Sequence, residues 1–146
     1  MARSRSESGQ SLIWTTMLLA FVVVPLLVLV VDGIQLWRVR NQLQTATDAA
    51  CEEAAWVAAD RQAFRDSGVT RFYNQAQAVS EGTSTFQQVL SNTGTLQYSP
   101  GIAIGFDASV PSSQCTSTAF VSLLVSATIP DVTVTVESQS EIHFSR

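Results

Sequence analysis

Residues 11–31 have the sequence SLIWTTMLLAFVVVPLLVLVV and contain no charged side chain. Charged residues flank the run on both sides: Arg3, Arg5 and Glu7 before it, and Asp32, Arg38 and Arg40 after it. A helix over 11–31 would be about 32 Å long, enough to cross a hydrocarbon core of about 30 Å. Secretory signals have a shorter apolar region and end in a small-residue cleavage site. The sequence therefore predicts a retained transmembrane helix.

Pro25 lies in the middle of this run. Proline removes one backbone hydrogen bond and kinks a helix, which membrane helices tolerate when neighbouring groups satisfy the freed carbonyl. Two interpretations follow. The helix is a kinked anchor, or it melts locally near Pro25 when it moves from lipid into a polymer.

The helical pattern continues beyond Asp32. Apolar residues recur at steps of three and four: Leu36, Val39, Leu43, Ala46, Ala50, Ala54 and Val57. We expect one continuous helix to about Ser67, with Gly33 as a joint at the membrane surface and Gly68 as the C-cap. Five of these residues form a narrow stripe, here called the Ala-rich seam: Leu43, Ala46, Ala50, Ala54 and Val57. The seam is predicted to dock on neighbouring subunits, while its distal half packs on the protein's own head.

The remaining sequence predicts two short helices followed by strands. The helices fall in TRFYNQAQAVSEG (70–82) and TSTFQQVLSNTG (83–94), where apolar residues recur at helical spacing between glycines. Four runs rich in Val, Ile, Thr and Phe are typical of strands: TLQYS (95–99), GIAIGFDASV (101–110), AFVSLLVSATI (119–129) and VTVTVESQSEIHF (132–144). The last places Val132, Val134 and Val136 on one face. Pro130-Asp131 predicts a tight hairpin connection.

The predicted fold class is therefore α+β, with a long N-terminal transmembrane and amphipathic helix and a small β-rich head, pilin-like in outline. Four segments follow: a leader-like segment at 1–10, the transmembrane helix at 11–31, its extracytoplasmic continuation at 32–67, and the head at 68–146.

Composition excludes several functional classes. The net charge is −4 and every basic residue is an arginine, so no basic stripe exists to neutralise nucleic-acid phosphates. The single histidine, His143, stands near the C-terminus without a G-x-S-x-G motif, and the cysteines lack zinc-ligand spacing. The sequence predicts no enzyme, no metal site, no cofactor and no nucleic-acid partner.

Cys51 and Cys115 are far apart in the chain. In an oxidising compartment they could pair and stabilise the fold by about 4 kcal/mol in the chain-entropy model. The alternative is two buried, unbonded thiols. Arginines lie on both sides of the apolar run, so the cysteines decide the orientation, with the N-terminus in the cytoplasm and the head outside.

The N-terminal stretch resembles the TadE/TadG-like proteins of the bacterial tight-adherence (Flp) pilus system. The resemblance rests on an ordered set of elements: SGQSLIW, the apolar run through Pro25, VVDGIQLW and NQLQTATDAACEEAAWVAA. It implies a single-pass pseudopilin or minor pilin in the bacterial cytoplasmic membrane. Its partners would be other pilus subunits, assembly-platform proteins and a prepilin peptidase that cuts between Gly9 and Gln10.

Trp14 departs from this pattern, because pilins and TadE-type proteins usually carry a Glu at the fifth position after the cut. A buried Glu would drive pairing with a neighbour's N-terminal ammonium, whereas Trp suits the membrane interface. Asp32 is either a substitute charge partner for a neighbour's Arg38 or Arg40, or a solvated acid at the helix exit. We therefore expect either a minor subunit at a filament tip or an uncleaved pilus-assembly helper. A membrane-anchored, stalked binding module is the alternative from another class.

Overall fold

The computed structural model describes residues 5–68, 71–107, 112–124 and 131–142, with side chains from Ser11 onward. Its elements in chain order are α1 (Arg5–Leu18), a π-helical turn (Leu19–Val23), α2 (Val24–Ala58), α3 (Arg61–Ser67), α4 (Gln75–Thr93), a 3-10 turn (Thr95–Tyr98), β1 (Gly101–Asp107), β2 (Ser112–Val121) and β3 (Val132–Glu141). A long N-terminal helix followed by a small antiparallel sheet confirms the predicted α+β class.

The long helix ends at Ala58, earlier than the predicted Ser67. Ala59 is extended, and Asp60 caps the separate helix α3, accepting hydrogen bonds from the backbone N–H groups of Gln62 (3.0 Å) and Ala63 (2.9 Å). An Asp side chain that satisfies the first N–H groups of a new helix favours a helix start over continuation. Gly68 is the C-cap of α3, as predicted, with a φ of 70°.

Helix α4 is a single helix, so the prediction of two short helices separated at Gly82 is wrong. Gly82 is buried against α2 and β1. A Cβ at this position would lie 2.9 Å from the carbonyl oxygen of Ala50 and 2.8 Å from Cδ1 of Ile104. Glycine is therefore present because the two helices approach closely here, and not because the helix stops.

The sheet has the order β1-β2-β3, and both pairs of strands are antiparallel. The first predicted strand, 95–99, is wrong because residues 95–98 form the 3-10 turn. The second and fourth are confirmed over Gly101–Asp107 and Val132–Glu141. The third begins earlier than predicted, at Ser112, and ends at Val121.

Val121 pairs with Val132, so residues 122–131 connect β2 to β3. This connection is longer than the tight turn predicted at Pro130-Asp131. Pro130 and His143 lie outside the described residues.

Helix α2 packs against α4 on one side and against the inner face of the sheet on the other. The core that results consists of Val39, Leu43, Ala46, Ala50, Phe86, Leu90, Ala119, Val121 and Val136. The predicted alternation in β3 is confirmed. Val136 lies in this core, Val134 packs against it and Val132 is half-buried, while Thr133, Thr135 and Glu137 are exposed. The head is therefore built directly on the second half of the long helix.

Candidate functional site

The apolar run 11–31 is uncovered. Its large side chains are exposed along its whole length: Leu12, Ile13, Trp14, Met17, Leu18, Leu19, Phe21, Val22, Val23, Val24, Leu26, Leu27, Leu29, Val30 and Val31. By length and composition, the helix Ser11–Ala58 could cross a membrane, and only 6% of its most apolar window is buried within the protein. So much exposed apolar surface is unfavourable in water, so lipid or other helices must cover it.

The structure accommodates Pro25 through a change in hydrogen-bond register. The π-helical turn Leu19–Val23 lies directly before it, and the backbone N–H of Val24 donates to the carbonyl oxygen of Leu19. Pro25 then occupies the first turn of α2, where the missing N–H costs little. π-helical turns are local irregularities in the hydrogen-bond ladder, often found at functional sites. The predicted kink site is thus a register change within a continuous helical rod.

The Ala-rich seam faces inward. Leu43, Ala46, Ala50 and Ala54 are each 0% exposed, because α4 and the sheet pack on them, while Val57 is half-buried. The prediction that the seam docks on neighbouring subunits is therefore wrong for these four residues. The expectation that it packs on the protein's own head extends to nearly the whole seam.

Small residues opposite the seam permit this close packing. The inner face of β2 carries Ser113, Cys115, Ser117 and Ala119. The hydroxyl of Thr47 lies 2.6 Å from that of Ser117 and donates to the carbonyl oxygen of Leu43, so Ser117 is the donor between the two hydroxyls. The hydroxyl of Ser113 donates to the carbonyl oxygen of Cys51 at 2.9 Å. These buried hydroxyls are satisfied and hold the sheet against α2.

A disulfide crosses the same interface. It joins Cys51 on α2 to Cys115 on β2, with the two Cα atoms 5.8 Å apart. Of the two alternatives for these cysteines, a disulfide or two buried thiols, the structure contains the disulfide. The bond ties the long helix to the central strand of the sheet.

Asp32 is 4% exposed, so the prediction of a solvated acid at the helix exit is wrong. It lies about two turns before the buried Val39, on the side of the helix that faces the head. One carboxylate oxygen accepts a hydrogen bond from the backbone N–H of Leu124, at 3.0 Å. The head therefore binds the carboxylate that the other interpretation assigned to a neighbour's Arg38 or Arg40.

The remaining predicted site residues lie near the start of the rod. Gly9 and Gln10 are within α1, and the side chain of Trp14 is 67% exposed. Among the described residues, no three His, Cys, Asp or Glu side chains come together in a way that could hold a metal ion.

These features define a class of protein: a chain with one long helix, exposed and apolar in its first half and buried against a small α+β head in its second. Over residues 9–61 the chain matches a family model described as "Putative Flp pilus-assembly TadE/G-like". The match covers the start of the helix, the apolar run and the seam, and it confirms the TadE/TadG-like resemblance. No curated protein and no solved structure matches the chain.

The sequence-based prediction did not identify the contacts made by three residues that shape the site: Gly82, Ser117 and Leu124. The sequence does contain a pattern that places Gly82 inside one helix. Ala78, Gly82, Phe86 and Leu90 recur at steps of four, as they would on one face of one helix. A pattern also places Ser117 on the inner face of a strand. Residues spaced by two share one face of a strand, and here these are Ser113, Cys115, Ser117, Ala119 and Val121. No pattern in the sequence marks Leu124 as the partner of Asp32.

Proposed function

We propose that this protein is a minor pilin or pseudopilin, a single-pass membrane subunit that acts in assembly of a Tad-type pilus and carries out no catalysis. The observation that carries the proposal is the uncovered apolar half of the helix beside a completed head. The match to the TadE/G-like pilus-assembly family over residues 9–61 supports the same function. In the membrane the apolar run spans the bilayer, with the head outside.

The proposed mechanism is exchange of one apolar environment for another. Before assembly, lipid covers residues 11–31 of the subunit in the membrane. In the assembled pilus, the helices of other subunits cover them. Helices in lipid associate through van der Waals packing of their side chains, because burial from lipid brings no hydrophobic gain. The seam is buried, so the packing surface is the exposed run 11–31.

Processing by a prepilin peptidase between Gly9 and Gln10 would prepare the helix for this exchange. Both residues lie in α1, at the start of the rod. The cut would remove Arg3 and Arg5, leaving Gln10 directly before the uncharged run. Assembly-platform proteins and other pilus subunits are the proposed partners.

A specific observation favours a second candidate, an uncleaved assembly helper or stalked binding module that stays in the membrane. Trp14 is exposed where a pairing Glu is usual in the family, and an exposed Trp near a helix start suits a permanent membrane anchor.

Fractionation of cells separates the two candidates. Filaments are sheared from the surface, and the protein is quantified in the sheared and membrane fractions. The Leu26→Ala/Leu27→Ala variant keeps the run uncharged but removes packing surface, so its share in filaments should fall while its amount in membranes stays constant. Leu96→Ala, on the exposed surface of the head, is the matched control and should behave as the native protein. Confinement of the native protein to membranes would favour the second candidate.

A further inference from the structure

The first exposed charged residue after the apolar run lies further along the helix than the sequence suggests. Asp32 is the first charged residue after the apolar run, but it is buried and bonded to the head. Gln35, one turn later, is half-buried and donates to the hydroxyl of Tyr98 at 3.2 Å. The first exposed charge is therefore Arg38.

The exposed surface of the helix stays apolar up to that point. Ile34 is 61% exposed and Trp37 is 67% exposed. From Ser11 to Trp37 the rod measures about 40 Å, which exceeds a hydrocarbon core of about 30 Å and reaches into the headgroup region. Trp is enriched at this boundary, and Arg extends its charge from it toward water and phosphate.

A loop of the head reaches the same level. Leu124 follows β2, and its backbone N–H donates to Asp32. Its side chain is 67% exposed. An exposed leucine is therefore fixed beside the helix within the first turn after the apolar run, before Trp37 along the rod.

We propose that the head rests in the outer membrane–water boundary of the bilayer through a membrane-proximal surface formed by Ile34, Trp37 and Leu124, and that lipid at the junction of acyl chains and headgroups covers it. This inference rests on the membrane anchoring in the proposed function. Lipid is the occupant because the surface is continuous with the exposed run 11–31, which lipid already covers. The backbone N–H of Leu124 also pairs with the Asp32 carboxylate at this depth, where an unpaired charge is costly.

The consequence is a fixed depth for the head. A head held only by a flexible stalk would lie away from the bilayer, whereas this surface brings Leu124 into the headgroup region. The opposite end of the head points away from the membrane. Tyr73, whose backbone N–H donates to the carbonyl oxygen of Ala58 at 2.7 Å, marks that end, about 39 Å along the helix from Asp32.

The test measures depth by fluorescence quenching. The full chain is reconstituted in vesicles of phosphatidylethanolamine and phosphatidylglycerol containing phosphatidylcholine brominated near the carbonyl end of its acyl chains. Trp14, Trp37 and Trp56 are replaced by Phe, and one new Trp is introduced by Leu124→Trp or by Tyr73→Trp. Tyr73 is 72% exposed, so the two probes are matched in exposure. We expect quenching of the Leu124→Trp probe to be at least about threefold stronger, because interfacial side chains insert roughly 5–10 Å into the boundary.

A protein with Trp14 as its single tryptophan reports whether the chain is anchored at all. If Trp14 is quenched and the Leu124→Trp probe is not, the inference is overturned while anchoring stands. If neither is quenched, anchoring fails as well. A Leu124→Trp probe with emission typical of burial but no quenching by lipid also overturns the inference, since it would mean that a second copy covers the surface.

Discussion

Gly82 shows how a single residue sets the distance between two elements. It lies where α4 crosses α2, and its missing side chain leaves room for the carbonyl oxygen of Ala50 and the side chains of Ala54 and Ile104. A glycine within a helix costs about 1 kcal/mol relative to alanine. The gain is close contact between the helices, which lets the head bury the seam.

Gly82→Ala is therefore expected to destabilise the head although alanine favours helix. The added methyl group would lie 2.8 to 3.1 Å from its neighbours, so the loss from overpacking should exceed the gain in propensity, with a net loss of about 1–2 kcal/mol. Denaturant unfolding of the head in detergent micelles measures the change. Gly33→Ala is the matched control, because nothing lies within 4 Å of its Cβ position. Equal stabilities for both variants would contradict the close approach.

Asp32 supports a second prediction at this scale. Asp32→Ala removes the acceptor for the N–H of Leu124, and hydrogen bonds to charged groups contribute about 1.5–3 kcal/mol. The free energy of unfolding should fall by that amount. Asp48→Ala serves as the control, because Asp48 is exposed and accepts a surface hydrogen bond from the side chain of Gln44. It should change the stability by less than about 0.5 kcal/mol. If the two variants lose the same free energy of unfolding, the hydrogen bond between Asp32 and Leu124 contributes no more to stability than a surface contact, and the prediction is wrong.

Helix α2 has two parts that differ in burial. Its first turns belong to the bare apolar run, and its later turns form one wall of the core. The disulfide between Cys51 and Cys115 lies in the later part and links it to β2. Under the proposed function, this bond would hold the sheet against the helix while the surroundings of the apolar run change.

Removing this link should lower stability without changing the fold. The cysteines are 64 residues apart, and closing a loop of this length stabilises by about 4 kcal/mol in the chain-entropy model. The Cys51→Ala/Cys115→Ala variant should unfold at a correspondingly lower denaturant concentration. The native protein treated with a reductant should show a similar loss, whereas the variant should not respond to reductant. A native protein insensitive to reductant would contradict the bond.

The sequence predicts the elements better than their ends and contacts. Hydrophobicity alone locates the run 11–31, and alternation locates β3, because both depend on local pattern. The break after Ala58 was missed because local pattern does not distinguish an Asp60 that caps a new helix from an Asp60 on the surface of a continuing one. The packing partner of the Ala-rich seam was missed because a stripe of alanines can pack equally well on a neighbouring subunit and on the protein's own head. The partner of Asp32 lies in a distant loop, which local pattern does not specify.

At the scale of the whole molecule, the protein combines a head that has a buried core with a helix whose first half is exposed and apolar. The head buries a core against the second half of the helix and satisfies its buried hydroxyls Thr47, Ser113 and Ser117. The run 11–31 needs lipid or protein around it. This division suits a subunit that is stored in a membrane and then built into a filament, because the head stays the same while only the surroundings of the helix change.

The most direct test of this account is the mass of the mature protein in sheared filaments from its native cell. Intact mass spectrometry of the filament and membrane fractions reports both location and processing. We predict that the filament fraction contains a chain that begins at Gln10 and retains the disulfide. A protein confined to membranes that still carries the residues before Gln10 would contradict the account and identify the rod as a permanent anchor.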